Sequence, residues 1–269
     1  MGWLRRNLVV IVGVLVMVYI LIPNLVVTVF SFNKPGGRYN YQWNSFSLDA
    51  WLNPCASAGM CDALGLSLWV AVVAAGVATV IGTMAAFALG RYRFRGRAAT
   101  NLLVFFPMAT PEVVMGSSLL TLFVAMGIPS GQVTILIAHI LFTLSFVITT
   151  VKARVASLDP SLEQAAADLY ATPAQAFWRV TFPLVAPGIG AGALLAFALS
   201  FDDYIVTNFN AGATTVTFPM FVWGASQRGA PVQVNVIGTV MFFGALAIVG
   251  LGQTVGSRMR LGSRRKETV

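Results

Sequence analysis

The sequence predicts an all-α polytopic membrane protein with six transmembrane helices and both termini in the cytoplasm. Hydrophobic residues make up 57% of the 269-residue chain and charged residues only 10%, and the mean hydropathy is +0.80, whereas soluble domains have about 25% charged residues. A helix needs roughly 20 residues to cross a hydrocarbon layer of about 30 Å. Six stretches qualify, and together they form one helical domain over residues 1–269: about 8–30, 64–90, 100–126, 132–151, 184–206 and 234–255.

The basic residues are distributed unevenly between the two sides of these predicted helices. Fourteen of the 17 lysines and arginines lie in segments that would be cytoplasmic, which leaves Lys34, Arg38 and Arg228 outside. This asymmetry follows the positive-inside rule and sets the orientation. The net charge of +8 therefore indicates contact with anionic membrane lipid and not with nucleic acid. The inner basic residues are Arg5, Arg6, Arg91, Arg93, Arg95, Arg97, Lys152, Arg154, Arg179, Arg258, Arg260, Arg264, Arg265 and Lys266.

The first predicted helix follows an arginine pair, Arg5 and Arg6, which is also a feature of cleavable signal peptides. Its apolar run is longer than the usual stretch of about 7 to 15 residues and lacks a small-x-small cleavage site, so we interpret it as a retained helix. The outer loop after it, residues 31–63, contains Cys55 and Cys61. An oxidising environment would let them pair, but the sequence leaves the disulfide open. Two thiols without a nearby histidine do not indicate a metal site.

Acidic side chains inside predicted spans are costly in lipid and are therefore candidate functional residues. Glu112 lies near the middle of the third helix, directly after Pro111, where a broken hydrogen-bond ladder exposes backbone carbonyls. Asp202 and Asp203 lie near the outer end of the fifth helix and are followed by Tyr204. Carboxylates and an aromatic ring in a cavity would favour a flexible organic polycation, through charge pairing and cation–π attraction.

These residues also have structural interpretations. Glu112 is compatible with a structural pair or with a protonated group that holds the helix break. Asp202 and Asp203 are compatible with a helix cap or with a pair to Arg228. His139, near the middle of the fourth helix, is interpreted as an interhelical hydrogen-bond donor, because no nearby residue in the sequence completes a proton relay.

The long inner loop, residues 152–183, is polar and contains the start signals of two short helices joined near Tyr170 and Ala171. The second of these helices is expected to end at Pro183. The capping residues are Asp159, or Ser161 with Gln164, for the first helix, and Thr172 with Gln175 for the second.

The first of these inner-loop helices is predicted to present an apolar face to a protein partner. The alternative is an interfacial helix that lies on the membrane. We favour the protein partner, because the helix has no basic residue to contact anionic headgroups. The apolar face consists of Leu162, Ala165, Ala166 and Leu169, with Glu163 and Asp168 beside it.

This loop resembles the cytoplasmic signature of type I, binding-protein-dependent ABC importer permeases, which reads Glu-Ala-Ala, three variable residues and Gly, with a Leu-Pro or similar pair further on. The chain departs from the signature at two positions, because Gln164 replaces the Glu, with Glu163 one residue earlier, and Tyr170 replaces the Gly. A non-glycine residue resists positive φ, so the turn or the docking is expected to differ from that of the family. The matching residues are Ala165, Ala166, Asp168, Leu169, Ala171 and the exit from Phe182–Pro183 to Pro187–Gly188.

Two further segments, residues 106–116 and 199–204, are similar to the permease subunits of spermidine/putrescine-type importers, in the subfamily that supplies the second of two different membrane subunits. The resemblance implies a type I ABC importer permease fold and a polyamine cargo, with an opine, an amino-acid derivative or ferric iron as alternatives. It implies three kinds of partner: a second permease, two copies of a cytoplasmic ATPase that binds ATP and Mg, and an extracytoplasmic substrate-binding protein. It also assigns ATPase coupling to Leu162, Glu163, Gln164, Ala165, Ala166, Asp168, Leu169, Tyr170 and Ala171.

The sequence contains no signal for a nucleotide or cofactor site of its own. A P-loop requires Gly directly before Lys, and the three lysines follow Asn33, Val151 and Arg265, so the chain is not expected to be an enzyme. A membrane enzyme would need a nucleophile–base pair or a metal cluster at membrane depth, which one His and two outer Cys do not provide. A channel or an ion-driven secondary transporter is the remaining alternative, and the long polar inner loop disfavours it.

Overall fold

A computed structural model of the chain describes residues 2–37 and 39–264. Arg38, Arg265 and Lys266, which enter the charge argument above, lie outside these residues. The described secondary structure is helical apart from one isolated antiparallel bridge between Asn33 and Phe46. The helices are α1 (Gly2–Phe30), α2 (Asp49–Leu52), α3 (Met60–Arg91), α4 (Arg97–Ala109), α5 (Glu112–Ala125), α6 (Gln132–Ala156), α7 (Ser161–Asp168), α8 (Pro173–Ala176), α9 (Phe182–Asp202), α10 (Ile205–Asn210), α11 (Phe218–Arg228) and α12 (Val232–Arg264).

Among the described residues, four segments are long and apolar enough to cross a membrane. They are Asn7–Phe30, Met60–Arg91, Gln132–Ala156 and Pro173–Asp202, and the bent pair of α4 and α5 gives a fifth candidate. The predicted sixth span falls in α12, whose apolar part Val232–Ile248 is shorter. The helical class is confirmed, while the count of six spans stays a prediction.

The third predicted span, residues 100–126, is not one helix. α4 ends at Ala109 and α5 begins at Glu112, and the two are bent by 107°. Pro111 explains the break, because the residue before a proline avoids the helical region, and Thr110 is extended with ψ 131°. Glu112 is therefore the first residue of α5, directly after the break, and the third predicted span is a bent pair of helices and not one continuous helix.

The fifth predicted span also ends earlier than expected. α9 stops at Asp202, Asp203 is extended with ψ 126°, and the chain turns into the short helix α10. Residues 207–233, which lie between the fifth and sixth predicted spans, contain most of α10 and all of α11. The carboxylate of Asp203 accepts hydrogen bonds from the first N–H groups of α10, so a helix start replaces helix continuation at this point.

The second inner-loop helix was expected to end at Pro183, but it continues through this residue. The chain is helical from α8 to the end of α9, and a π-helical turn, Phe177–Thr181, ends two residues before the proline. A proline lacks an N–H and its ring clashes with the carbonyl four residues earlier in a regular α-helix. The wider π-turn relieves this conflict, so that the helix continues through Pro183.

The described chain divides into two compact units, Asp62–Phe221 and the combination of Met1–Cys61 with Val222–Val269. In the first unit α6 and α9 pack closely because Gly188 and Gly192 leave room for α6. A Cβ on Gly188 would lie 2.7 Å from Arg154 Cβ, and one on Gly192 would lie 3.5 Å from Val151 Cγ2. Small residues at such contacts let helix backbones approach in lipid.

The second unit contains α1, α2 and α12. α1 packs along α12, and α2 places Ala50 and Trp51 against Val232 and Val236 of α12. None of the residues Asn7–Phe30 of α1 is buried. Cys55 and Cys61 form a disulfide with their Cα atoms 5.5 Å apart, which resolves the pairing that the sequence left open.

Candidate functional site

The inner-loop helix α7 presents apolar side chains away from the rest of the chain. Leu162 is 43% exposed and Leu169 is 81% exposed, and Ala165 is exposed between them. Ala166, which was predicted to share this face, is buried. On the helix, Ala166 lies one turn after Leu162 and Glu163. It therefore shares a side with Glu163, whose side chain points toward the rest of the chain. Three of the four residues of the predicted face are therefore exposed, whereas Ala166 is buried. The contact of this face with a partner stays a prediction.

Both inner-loop helices begin at predicted caps. The Asp159 carboxylate accepts the N–H of Ser161 at 2.9 Å, so the first of the two proposed caps is the one that forms. Thr172 Oγ1 accepts the N–H of Gln175 at 3.4 Å, and Gln175 Oε1 accepts the N–H of Thr172 at 2.9 Å. This reciprocal pair is a capping box.

Tyr170 ends α7 in the left-handed region, with φ 60°. Its N–H donates to Ala167 O at 2.9 Å, and the N–H of Ala171 donates to Ala166 O at 3.0 Å. These two bonds form a Schellman motif, whose C′ residue is usually glycine. The turn expected of the glycine therefore forms with a tyrosine, and this residue is 97% exposed.

Glu163 joins α7 to the helices that lead into the membrane. Its carboxylate forms an ion pair with Arg91 at the end of α3 and accepts a hydrogen bond from Thr181 before α9. Burial raises the pKa of the Glu163 carboxyl, but the hydrogen bonds from Thr181 and Arg91 and the charge of Arg91 outweigh burial, so the pKa lies below its ordinary value. The carboxylate of Glu163 is therefore engaged within the chain, and its role in ATPase coupling stays a prediction.

An open cleft of about 640 Å³ lies between the end of α3 and the inner-loop helices. Met84, Phe87 and Phe177 form apolar walls, and Arg91 and Glu163 lie at its polar side. The Arg91 and Glu163 side chains are 26% and 35% exposed, respectively. The ion pair is therefore accessible from the cleft, and solvent screens it in part.

A second group of polar side chains is buried where α9 breaks. His139 Nδ1 lies 2.7 Å from Ser200 Oγ on α9, and Nε2 lies 2.9 Å from Thr207 Oγ1 on α10 and 3.4 Å from Asp203 Oδ2. The Thr207 hydroxyl and its N–H both donate to Asp203 Oδ2, at 2.8 and 2.7 Å. His139 thus forms interhelical hydrogen bonds, as predicted, and Asp203 caps α10. We call these four residues the His139 cluster.

The remaining predicted pathway residues have different surroundings. Glu112 and Asp202 are exposed, and Tyr204 is half-buried. Glu112 is one turn before Gly116, whose carbonyl accepts Asn210 Nδ2 of α10 at 3.3 Å. The first turns of α5 thus pack on the short helix that follows Asp202 and Tyr204.

Sequence patterns did not indicate that Arg91, Thr181, Ser200 and Thr207 are partners of these residues. Arg91 was considered only as a determinant of topology. The hydroxyl residues Thr181, Ser200 and Thr207 lie within or next to apolar segments and were not considered separately. Their one visible feature is that Ser200 and Thr207 are polar residues close to a carboxylate in an apolar segment. Spacing along the chain could not pair them with His139, since 61 and 68 residues separate them from it.

Comparisons with known proteins identify the family of this chain. Residues 78–264 match the family model described as "Binding-protein-dependent transport system inner membrane component". The chain is 37% identical over 235 residues to the putrescine transport system permease protein PotI of Escherichia coli strain K12, covering 85% of this chain and 83% of that protein. It is 34% identical over 237 residues to the spermidine/putrescine transport system permease protein PotC of Haemophilus influenzae, covering 88% and 91%.

The fold also has a counterpart among solved structures. A chain in the crystal structure of a bacterial ABC transporter involved in import of the acidic polysaccharide alginate superposes with a TM-score of 0.65 over 94% of this chain and 96% of that chain, at 18% identity. This similarity concerns the fold alone. The family match covers most of the sequence, and the resemblance inferred from the inner loop is confirmed. The chain therefore belongs to the family of inner membrane components of binding-protein-dependent transport systems, and it is a multi-pass membrane permease.

Proposed function

We propose that this chain is one of two permease subunits of an ATP-driven importer for a small organic polycation, either putrescine or spermidine. The observation that carries the proposal is the similarity to PotI and PotC over more than four fifths of each chain. The exposed carboxylates Glu112 and Asp202 and the ring of Tyr204 agree with this cargo, because a polyamine offers several positive charges and cation–π contacts.

The proposed topology is six spans with both termini in the cytoplasm. The four long apolar helices, the bent pair α4–α5 and the apolar part of α12 supply six crossings. The distribution of basic residues supports this orientation. With it, α7 and α8 lie on the cytoplasmic side, and the disulfide lies on the outer side, where oxidising conditions favour it.

The energy for transport comes from partners. A cytoplasmic ATPase, present in two copies, binds ATP and Mg and contacts the exposed face of α7, while this chain binds no cofactor. A second permease supplies the other half of the pathway, and an extracytoplasmic binding protein delivers the cargo. Nucleotide binding by the ATPase would shift the population between inward-open and outward-open states through α7.

The pathway residues are Glu112, Asp202 and Tyr204, with Asp203 in a supporting position. An exposed carboxylate can pair with a cationic cargo, whereas the buried Asp203 carboxylate already accepts hydrogen bonds from α10. We therefore expect neutralisation of Glu112 or Asp202 to weaken cargo binding without affecting assembly.

The test is uptake into liposomes by the complex purified with its permease and ATPase partners. The wild-type complex should import labelled putrescine or spermidine when ATP is supplied, and should leave an amino acid and ferric iron outside. Glu112→Gln and Asp202→Asn should each raise KM by roughly two- to fivefold, the contribution of an exposed charge pair. Asp49→Asn, an exposed carboxylate of α2, is the matched control. Uptake without ATP, or of another solute only, would refute the proposal.

A further inference from the structure

His139 is buried in the middle of α6, and the transport scheme above assigns it no role. Its exposure is 1%, and Ser200 and Thr207 are 3% and 0% exposed. A buried polar group without a hydrogen-bond partner costs about 1 to 3 kcal/mol. A change in the relative positions of His139, Ser200, Asp203 and Thr207 would leave buried polar groups without hydrogen-bond partners. The cluster is therefore stable only in this arrangement.

The directions of the hydrogen bonds follow from the partners. The Thr207 hydroxyl has one proton, which it donates to Asp203 Oδ2 at 2.8 Å. Thr207 Oγ1 is therefore the acceptor of His139 Nε2–H at 2.9 Å. Nδ1 of the same ring forms a hydrogen bond with the Ser200 hydroxyl at 2.7 Å. A single side chain of α6 is thus bonded to the last turn of α9 and to the first turns of α10.

The short helix α10 depends on such contacts. It has six residues, Ile205–Asn210, which is too few for an independently stable helix. α6 contacts it at both ends, since Thr134 Oγ1 also donates to Asn210 O at 2.8 Å. α5 contacts it through Gly116 O. The angle between α9 and α10 is therefore set by side chains from other helices.

We propose that His139 is a positioning residue for cargo recognition, which fixes the break between α9 and α10 so that Asp202 and Tyr204 face the pathway. Asp202 is the last residue of α9 and Tyr204 is the residue before α10, so their directions depend on this angle. The proposal rests on the proposed function for the role of those two residues. His139 itself does not contact the cargo.

The first experiment compares transport by His139 variants in the reconstituted complex. His139→Leu removes both hydrogen bonds and should raise KM for the imported cation by roughly three- to tenfold, the equivalent of one or two hydrogen bonds, with the ATPase activity measured without cargo unchanged. His139→Gln keeps a donor near Nε2 and should recover most of the wild-type KM. His139→Asn reaches only the Ser200 side and should not.

Thr143→Val is the matched control. Thr143 is buried on the same helix, one turn away, and its hydroxyl donates only within α6, to His139 O at 2.6 Å and Ile140 O at 3.4 Å. Its KM should equal that of the wild type. If His139→Leu lowers only the amount of assembled complex and leaves KM unchanged, the role is structural and the proposal is wrong.

The second experiment does not depend on the cargo. Asn208 is exposed on α10, and the two native cysteines are joined in the disulfide, so Asn208→Cys is a single-thiol reporter of the position of α10. Its labelling rate with a small maleimide should change severalfold when His139→Leu is added, and should return with His139→Gln. A reporter at Val124→Cys on α5 should not respond. An unchanged rate at Asn208→Cys refutes the positioning role, even if the complex proves to import another solute.

Discussion

Tyr170 adopts a backbone conformation that costs most L-residues about 1 to 2 kcal/mol relative to glycine. The Schellman bonds of Tyr170 and Ala171 hold it there. Because Tyr170 is 97% exposed, packing against the described part of the chain does not compensate for this cost. The turn is therefore strained at Tyr170.

Tyr170→Gly should stabilise the turn. We expect the free energy of unfolding of the inner loop to rise by up to about 1 kcal/mol, because glycine tolerates positive φ, while Tyr170→Val should lower it, because a β-branched residue resists that region most. Hydrogen exchange at the amides of residues 161–171 would measure both. Slower exchange in Tyr170→Val than in the wild type would contradict the strain argument.

The lowered pKa of the Glu163 carboxyl predicts that the local stability of α7 depends on pH. Its pKa is lower in the folded chain than its ordinary value of 4.5, so its contribution is complete above the ordinary value and is lost as the pH falls toward and through the folded pKa. The side chain is 35% exposed, and the effect should stay below about 1 kcal/mol after screening. Protection of the α7 amides from hydrogen exchange, corrected for intrinsic rates, should fall with acid in the wild type.

Glu163→Gln provides the comparison for this pH effect. Its protection at neutral pH should be lower than that of the wild type, because the pair with Arg91 is lost, and it should change little with acid. An equal decline of protection in the two proteins would assign the pH effect to another group.

At the scale of the element, α7 has two sides with different surroundings. One side, with Glu163 and Ala166, contacts the chain, and the other, with Leu162, Ala165 and Leu169, is exposed. A partner that binds the exposed side can displace the end of α3 and the start of α9 through Glu163. The carboxylate of Glu163 bonds to Arg91 at the end of α3 and to Thr181 directly before α9. The helix is therefore suited to transmit motion into the membrane.

Ala165→Asp should uncouple ATP hydrolysis from transport. A charge on the exposed apolar side would oppose burial against the ATPase, whereas it leaves the contacts of α7 with its own chain intact. Ala174→Asp, the same exchange at an exposed position of α8, should leave coupling unchanged. The ratio of cargo imported to ATP hydrolysed in liposomes measures this, and equal ratios in the two variants would contradict the assigned role. Ala166→Asp is less informative, because Ala166 is buried.

At the scale of the whole molecule, the proposed orientation rests on the basic residues. Reporter domains that are active only in the cytoplasm should be active at both termini, and a reporter inserted after Asn53 in the outer loop should be inactive. Removal of basic residues tests whether they cause this orientation. Replacement of Arg91, Arg93, Arg95 and Arg97 by glutamine should produce a mixture of orientations. A terminus that reports the outer side would overturn the six-span topology.

The sequence by itself determined the membrane environment, the helical class and the inner-loop signature, because hydropathy, charge and capping are local properties that read directly from neighbouring residues. The breaks at Thr110 and Asp203 were harder to predict, because a proline or an aspartate inside an apolar run is compatible with a kink, a cap or a continuous span. Only the tertiary structure decided that Glu163 pairs with Arg91, 72 residues away, and that His139 bonds to both sides of the α9 break. Such contacts depend on which helix faces pack together, and packing is a property of the folded chain and not of any one segment.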